Sequence, residues 1–209
     1  GLWNCGHLYQ GGVLAQYRRD DLAFVDALLL EVTRRTATAG WRIDQSRTYA
    51  VGYSNGGMMA YRLAAERSSE FAAIAVIAGS IGGEPDPDAA VPAFHVNHPG
   101  TFGAEPVSVM HVHGLLDPSV PVQGGIGEQG IPPDPRSDLA LADAADIWVD
   151  HNGCNPRAVI DTYNLGLRRT WADGQNGTEV QLLTAPGIAH QVPDNVMLLI
   201  EPFLLSHQK

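Results

Sequence analysis

Lysine is nearly absent: of 13 basic residues only Lys209 is a lysine, and the rest are arginines. Against 23 acidic residues this leaves a net charge of −10. That is the wrong sign for a nucleic-acid partner or an anionic membrane surface. Cysteine is equally scarce. Cys5 and Cys154 are the only two, and they form no C-x-x-C pair, so a zinc knuckle or a thioredoxin-like motif has no basis. No apolar run approaches the roughly 20 residues that a membrane-crossing helix needs. What remains is a chain of 209 residues, 44% hydrophobic and 17% charged. Those figures suit one globular domain spanning residues 1–209 with a sizeable core.

The most informative stretch is Gly52-Tyr53-Ser54-Asn55-Gly56. A β-favouring run, RTYAV (47–51), precedes it, and MMAYRLAAERSSE reads as a helix after it. A G-x-S-x-G pattern between strand and helix predicts a nucleophile elbow, a sharp turn that presents the serine. Glycine is expected at both 52 and 56, where side chains would collide across the turn. The helix N-terminus and the Asn55 N–H are placed to face a developing oxyanion.

Other elements follow from pattern. Asp20 can cap a helix reaching about Arg35, with Leu22, Val25, Leu28, Leu29 and Val32 as its apolar stripe. FAAIAVIAG (71–79) and VSVMHVHG (107–114) are apolar nearly throughout, as expected of parallel strands covered on both faces. Residues 137–151 read as a helix, 158–163 and 167–172 as a hairpin, 178–185 as the last strand, and 193–206 as a helix containing Pro202. Tyr9 and Trp3 are candidate anchors of the irregular opening segment. Strands alternating with helices predict an α/β fold: a mostly parallel sheet with helices on both faces, and a site beyond the strands' carboxyl ends.

Three residues lie just past strands. Ser54 follows the first, Asp117 follows the strand at 107–113, and His190 follows the strand at 178–185. Serine needs a base to take its proton, imidazole serves near neutrality, and a carboxylate fixes the ring's tautomer. The order Ser, Asp, His is that of α/β-hydrolases. Asp134, Asp143 and Asp146 are weaker choices for the acid. His111 and His113 alternate along a strand, so one of them should point inward as a core residue. Together with His95 and His98 they match no metal-ligand spacing, and neither a metal nor a cofactor is expected.

Several strings resemble the secreted polyhydroxybutyrate depolymerase and feruloyl esterase family of α/β-hydrolases: VGYSNGGMMAYRLA, HVHGLLDPSVPVQGG, IWVDHNGCNP, GIAHQVP, DDLAFVDALL and the opening WNCG. The resemblance implies nucleophile Ser54, acid Asp117 and base His190. It also implies hydrolysis through an acyl-enzyme of small-molecule or polymer esters, such as hydroxyalkanoate oligomers, feruloyl or acetyl polysaccharide esters, or short acyl esters. A secreted or cell-envelope location goes with it. Two departures stand out: Ile188 and Ala189 before His190, and Val192 after it, occupy places where the family usually has glycines and a tryptophan. If the helix from Asp20 is the one preceding the nucleophile strand, the N-terminal strands of the fold and a second oxyanion donor are expected to be missing from this sequence. A peptidase, an acyltransferase or a catalytically incomplete binding module would carry the same motifs. A disulfide between Cys5 and Cys154 is expected, which would tie the opening segment to the later loop, with two free buried thiols as the alternative.

Overall fold

The computed structural model describes residues 3–5, 20–81, 103–128 and 137–209. Tyr9, His95, His98 and Asp134 lie outside them. In chain order the elements are α1 (Asp21–Thr38), β1 (Tyr49–Tyr53), α2 (Asn55–Glu66), β2 (Ala73–Ile77), β3 (Ser108–Gly114), β4 (Gly125–Ile126), β5 (Ser137–Asp138), α3 (Leu141–Asn152), β6 (Val159–Tyr163), β7 (Gly166–Trp171), β8 (Val180–Ala185) and α4 (Met197–Leu205).

The main sheet has the order β1-β2-β3-β8-β7-β6. β1, β2, β3 and β8 run parallel, while β6 and β7 form an antiparallel hairpin that continues the sheet along β8. This is the mostly parallel sheet expected from the alternating pattern, and it agrees with the α/β-hydrolase-type fold that the resemblance implies. Every residue of β2 and β3 is buried, because helices cover both faces. Strand alternation divides the core. Ile74, Val76 and Val109 join the side chains of α2 and α3 around Trp148. Ala73, Ala75, Ile77, Met110 and Val112 join Ile200, Phe203 and Leu204 of α4 on the other face. Pro202 sits in the second half of α4. Among the described residues no helix is long and apolar enough to cross a membrane.

Three expectations are corrected. First, α1 runs to Thr38, beyond Arg35. The hydroxyls of Thr33, Thr36 and Thr38 bond back to carbonyls one turn earlier, and the break falls at Gly40, whose φ is +78°. Asp20 caps the other end by accepting the Ala23 N–H at 2.9 Å. Of the α1 stripe only Leu22 and Val25 are buried, and they meet Met58, Met59 and Leu63 of α2; Leu28 and Val32 face solvent. Second, both His111 and His113 are buried. Residues two apart on a strand share a face, so one cannot turn in while the other turns out. Third, Cys5 and Cys154 are free and buried. They belong to separate apolar clusters, Cys5 beside α1 and α2, and Cys154 near Trp148 and Trp171.

Candidate active site

Parallel strands end on one edge of the sheet, so the residues just past β1, β3 and β8 converge there. The β1 exit is the sharpest. Ser54 has φ 53° and ψ −121°, a conformation that costs a non-glycine residue of order 1–3 kcal/mol. The turn is held against β2 by the Ser54 N–H donating to the Ile77 carbonyl at 2.8 Å, and it enters α2 through Met58 N–H to Ser54 O at 3.0 Å. A side chain at Gly52 would collide with the Gly56 carbonyl. Gly56 differs from the expectation: a Cβ there would meet nothing within 4 Å. The second close approach belongs to Gly57, where a Cβ would lie 3.0 Å from Val76 Cγ1 and 3.1 Å from the Gly52 carbonyl.

The β3 and β8 exits are stitched together. Leu115 N–H donates to Ala185 O at 3.0 Å and Leu116 N–H to Ile188 O at 2.9 Å. Gly114 allows this approach, since a side chain there would overlap the Ile188 carbonyl. The stitching brings Asp117 and His190 into contact, with His190 Nδ1 2.8 Å from Asp117 Oδ2. On the ring's other side His190 Nε2 lies 2.8 Å from Ser54 Oγ. Because Nδ1 faces a carboxylate, it carries the hydrogen, and Nε2 presents its lone pair to the Ser54 hydroxyl. Ser54, His190 and Asp117 thus form one hydrogen-bonded line. Asp143 and Asp146 lie exposed on α3.

The Asp117 side chain is fully buried. Its Oδ1 accepts the N–H groups of Ser119 and Val120, each at 2.9 Å. Burial alone would push its carboxyl pKa up. Hydrogen bonds from His113, His190 and Val120 outweigh that and hold it well below the usual carboxylate range. Asp117 is therefore an anion held among fixed N–H donors.

Sequence reasoning missed three contributors. Tyr53 donates its hydroxyl to the His190 carbonyl at 2.8 Å, and its ring lies 5.2 Å from the imidazole. His113 Nε2 stands 3.3 Å from Asp117 Oδ2 and 2.9 Å from the Val120 carbonyl. The side chain of Asn55 grips the opening segment: its Oδ1 accepts Trp3 N–H at 2.6 Å, and its Nδ2 donates to Trp3 O at 3.1 Å. The Tyr53 signal was adjacency to the serine; the other two required knowing which elements meet. Asn55 opens α2, so its N–H belongs to the partly positive helix end beside Ser54. Among the described residues no three His, Cys, Asp or Glu side chains gather into a metal-binding group.

No protein-family model matches the chain. Feruloyl esterase C of Emericella nidulans is 28% identical over 140 residues, covering 67% of this chain and 38% of that protein. A protein described as "Probable feruloyl esterase C" of Aspergillus oryzae is 30% identical over 161 residues, covering 73% of this chain and 52% of its own. The chain therefore spans about half or less of the length of these curated relatives. An acetyl xylan esterase from Aspergillus awamori superposes with a TM-score of 0.50 at 16% identity, over 85% of this chain and 66% of that one. That likeness concerns the fold alone.

Proposed function

The chain is a relative of the feruloyl esterases built on an α/β-hydrolase-type fold, and on that premise we propose that it hydrolyses carboxylic esters with Ser54 as nucleophile. The observation that carries this reading is the line Ser54 Oγ, His190 Nε2, His190 Nδ1, Asp117 Oδ2, with both contacts at 2.8 Å. Ser54 Oγ attacks the ester carbonyl while His190 Nε2 takes its proton. Asp117 keeps the ring in the required tautomer and stabilises the imidazolium. The oxyanion of the tetrahedral intermediate faces the Asn55 N–H and the α2 N-terminus. Collapse expels the alcohol, which takes the proton from His190, and leaves an acyl group on Ser54. Water then repeats the sequence and releases the acid.

The rim supports an apolar acyl or aryl group. Leu115, Leu116 and Val192 flank Asp117 and His190 in sequence and are exposed, as is Tyr53 beside the serine. Feruloyl and acetyl esters of polysaccharide, hydroxyalkanoate oligomers and short acyl esters all fit that description. Secretion or a cell-envelope location would give the chain access to polymeric esters.

The test is fluorophosphonate labelling together with hydrolysis of p-nitrophenyl acyl esters and methyl ferulate. Ser54-dependent labelling and turnover are expected, and Ser54→Ala should lower kcat by about 10⁴-fold or more with an unchanged melting temperature. Peptide cleavage without ester cleavage would replace the reading with a peptidase. Absence of labelling would leave a binding module.

A further inference from the structure

Behind the acid lies a buried polar chain that the mechanism above does not use. Tyr61 Oη on α2 is 2.7 Å from His111 Nδ1. His111 Nε2 is 2.9 Å from His113 Nδ1. His113 Nε2 then reaches Val120 O at 2.9 Å and Asp117 Oδ2 at 3.3 Å. His111 and His113 are 3% and 1% exposed, and Tyr61 is 1% exposed, so water does not complete these bonds. We propose that His113, backed by His111 and Tyr61, is a positioning residue that fixes the Asp117 carboxylate in register with His190. This rests on the esterase reading for its catalytic meaning.

The hydrogen assignment follows from the partners. His113 Nε2 faces a carbonyl and a carboxylate, both acceptors, so it carries hydrogen. His111 is kept neutral, first by burial and then by its histidine neighbour. Burial also pushes the Tyr61 phenol up, so it remains a donor. With His113 Nε2 as a donor, one arrangement gives each ring a single hydrogen and each of the two contacts Tyr61–His111 and His111–His113 a single donor. In it Tyr61 O–H donates to His111 Nδ1, His111 Nε2–H to His113 Nδ1, and His113 Nε2–H to the Val120 carbonyl at 2.9 Å, with Asp117 Oδ2 alongside at 3.3 Å. The bonds all run from Tyr61 towards the corner where the Val120 carbonyl and the Asp117 carboxylate lie, and such aligned chains polarise one another. Oδ2 therefore meets the His190 donor at 2.8 Å and the His113 N–H on its other side at 3.3 Å, while Oδ1 meets Ser119 and Val120. Four fixed directions leave the carboxylate no freedom to rotate away from His190. Of the other groups near this carboxylate, Tyr53 is the titratable one, on the β1 side, with its phenol raised by burial and by the Asp117 charge.

The experiment compares His113→Leu, His113→Gln and Tyr61→Phe in the full chain. His113→Leu should lower kcat by about 10- to 100-fold with little change in KM, since the loss is of a hydrogen bond to a charged group. It should also move the acid limb of the kcat/KM profile to higher pH, because Oδ2 then gives its full charge to the His190 imidazolium. His113→Gln, whose amide sets an N–H near the Nε2 position, should restore most of the loss. Tyr61→Phe keeps the ring against Trp148 and serves if His113→Leu fails to fold. It should shift the limb in the same direction by less. Nitrogen-15 and low-field proton NMR supply a readout without turnover: His113 should show a protonated Nε2 and an accepting Nδ1, and the His190 Nδ1–H resonance should move in the variants. An unmoved resonance in folded His113→Leu or Tyr61→Phe, or an unprotonated Nε2 on His113, overturns the proposal. A wild-type chain that hydrolyses no ester sinks the esterase reading, and the NMR comparison then decides the positioning role by itself.

Discussion

Ser119 N–H, Val120 N–H and two histidine rings converge on Asp117, and a proton on that carboxylate would cost it the charge they stabilise. The unfolded chain binds that proton near the ordinary aspartate value of about 3.9; the folded chain binds it only at lower pH. In the window between, the unfolded state carries more protons, so stability rises with pH. This contribution is complete above about pH 4 and is lost as pH falls through the folded value. Asp117→Asn should therefore lower the melting temperature near neutrality, and the gap to the wild type should narrow on acidification below pH 4. A gap that widens in acid would contradict the assignment. The cysteines behave differently. Cys154 is pushed up to about 11, first by burial and then by Glu179, and Cys5 is wholly enclosed. A thiol reagent should modify neither in the native chain and both after denaturation without reductant; no reaction after denaturation would mean a disulfide. At this scale Ser54, Asp117 and His190 were legible because each follows a strand. His113 was not, because its role depends on Asp117 folding back over β3.

Between β1 and α2 the elbow separates two glycines that look equivalent in the pattern. Gly52 abuts the Gly56 carbonyl, and Gly56 faces open space. Gly52→Ala should force the turn apart, with a loss of about 1–3 kcal/mol or more in denaturant titration and a collapse of activity. Gly56→Ala should fold normally and retain activity within a fewfold. Equal damage from both would mean that the turn closes differently. Strand identity was readable from apolar continuity in β2 and β3, and the hairpin from two short adjacent strand-like runs. Helix ends were less readable. In α1 three threonines in the last two turns, Thr33, Thr36 and Thr38, bond back to helix carbonyls as the helix runs past Arg35, a use of hydroxyls that usually favours turns. The stripe was overcalled because α1 meets α2 along only part of its length.

Across the whole molecule the sheet is asymmetric. Its β6 side closes with an antiparallel hairpin, whereas β1 pairs with β2 alone among the described residues. Val51 on that strand is 45% exposed, and Phe24, Leu30 and Trp41 expose apolar surface elsewhere in the N-terminal region. An uncovered strand edge with apolar side chains invites pairing with another chain. Sedimentation velocity should therefore show concentration-dependent self-association, and Val51→Lys should weaken it while leaving ester turnover in place. Undiminished association would place the contact elsewhere. The parallel order was legible from alternation of strand and helix, and so was the nucleophile strand as a bare apolar edge, which is where β1 stands among the described residues; that the far side would close with the β6–β7 hairpin was not, because pairing is decided by contacts distant in sequence.

The grip of Asn55 on Trp3 has a consequence of its own. One residue supplies a backbone N–H beside Ser54 and, through its side chain, holds Trp3 near the beginning of the chain. Tension on that opening segment is thus transmitted to the serine's neighbour through an amide clasp. A change in the backbone at Trp3 is therefore felt first at Asn55, the residue that follows Ser54.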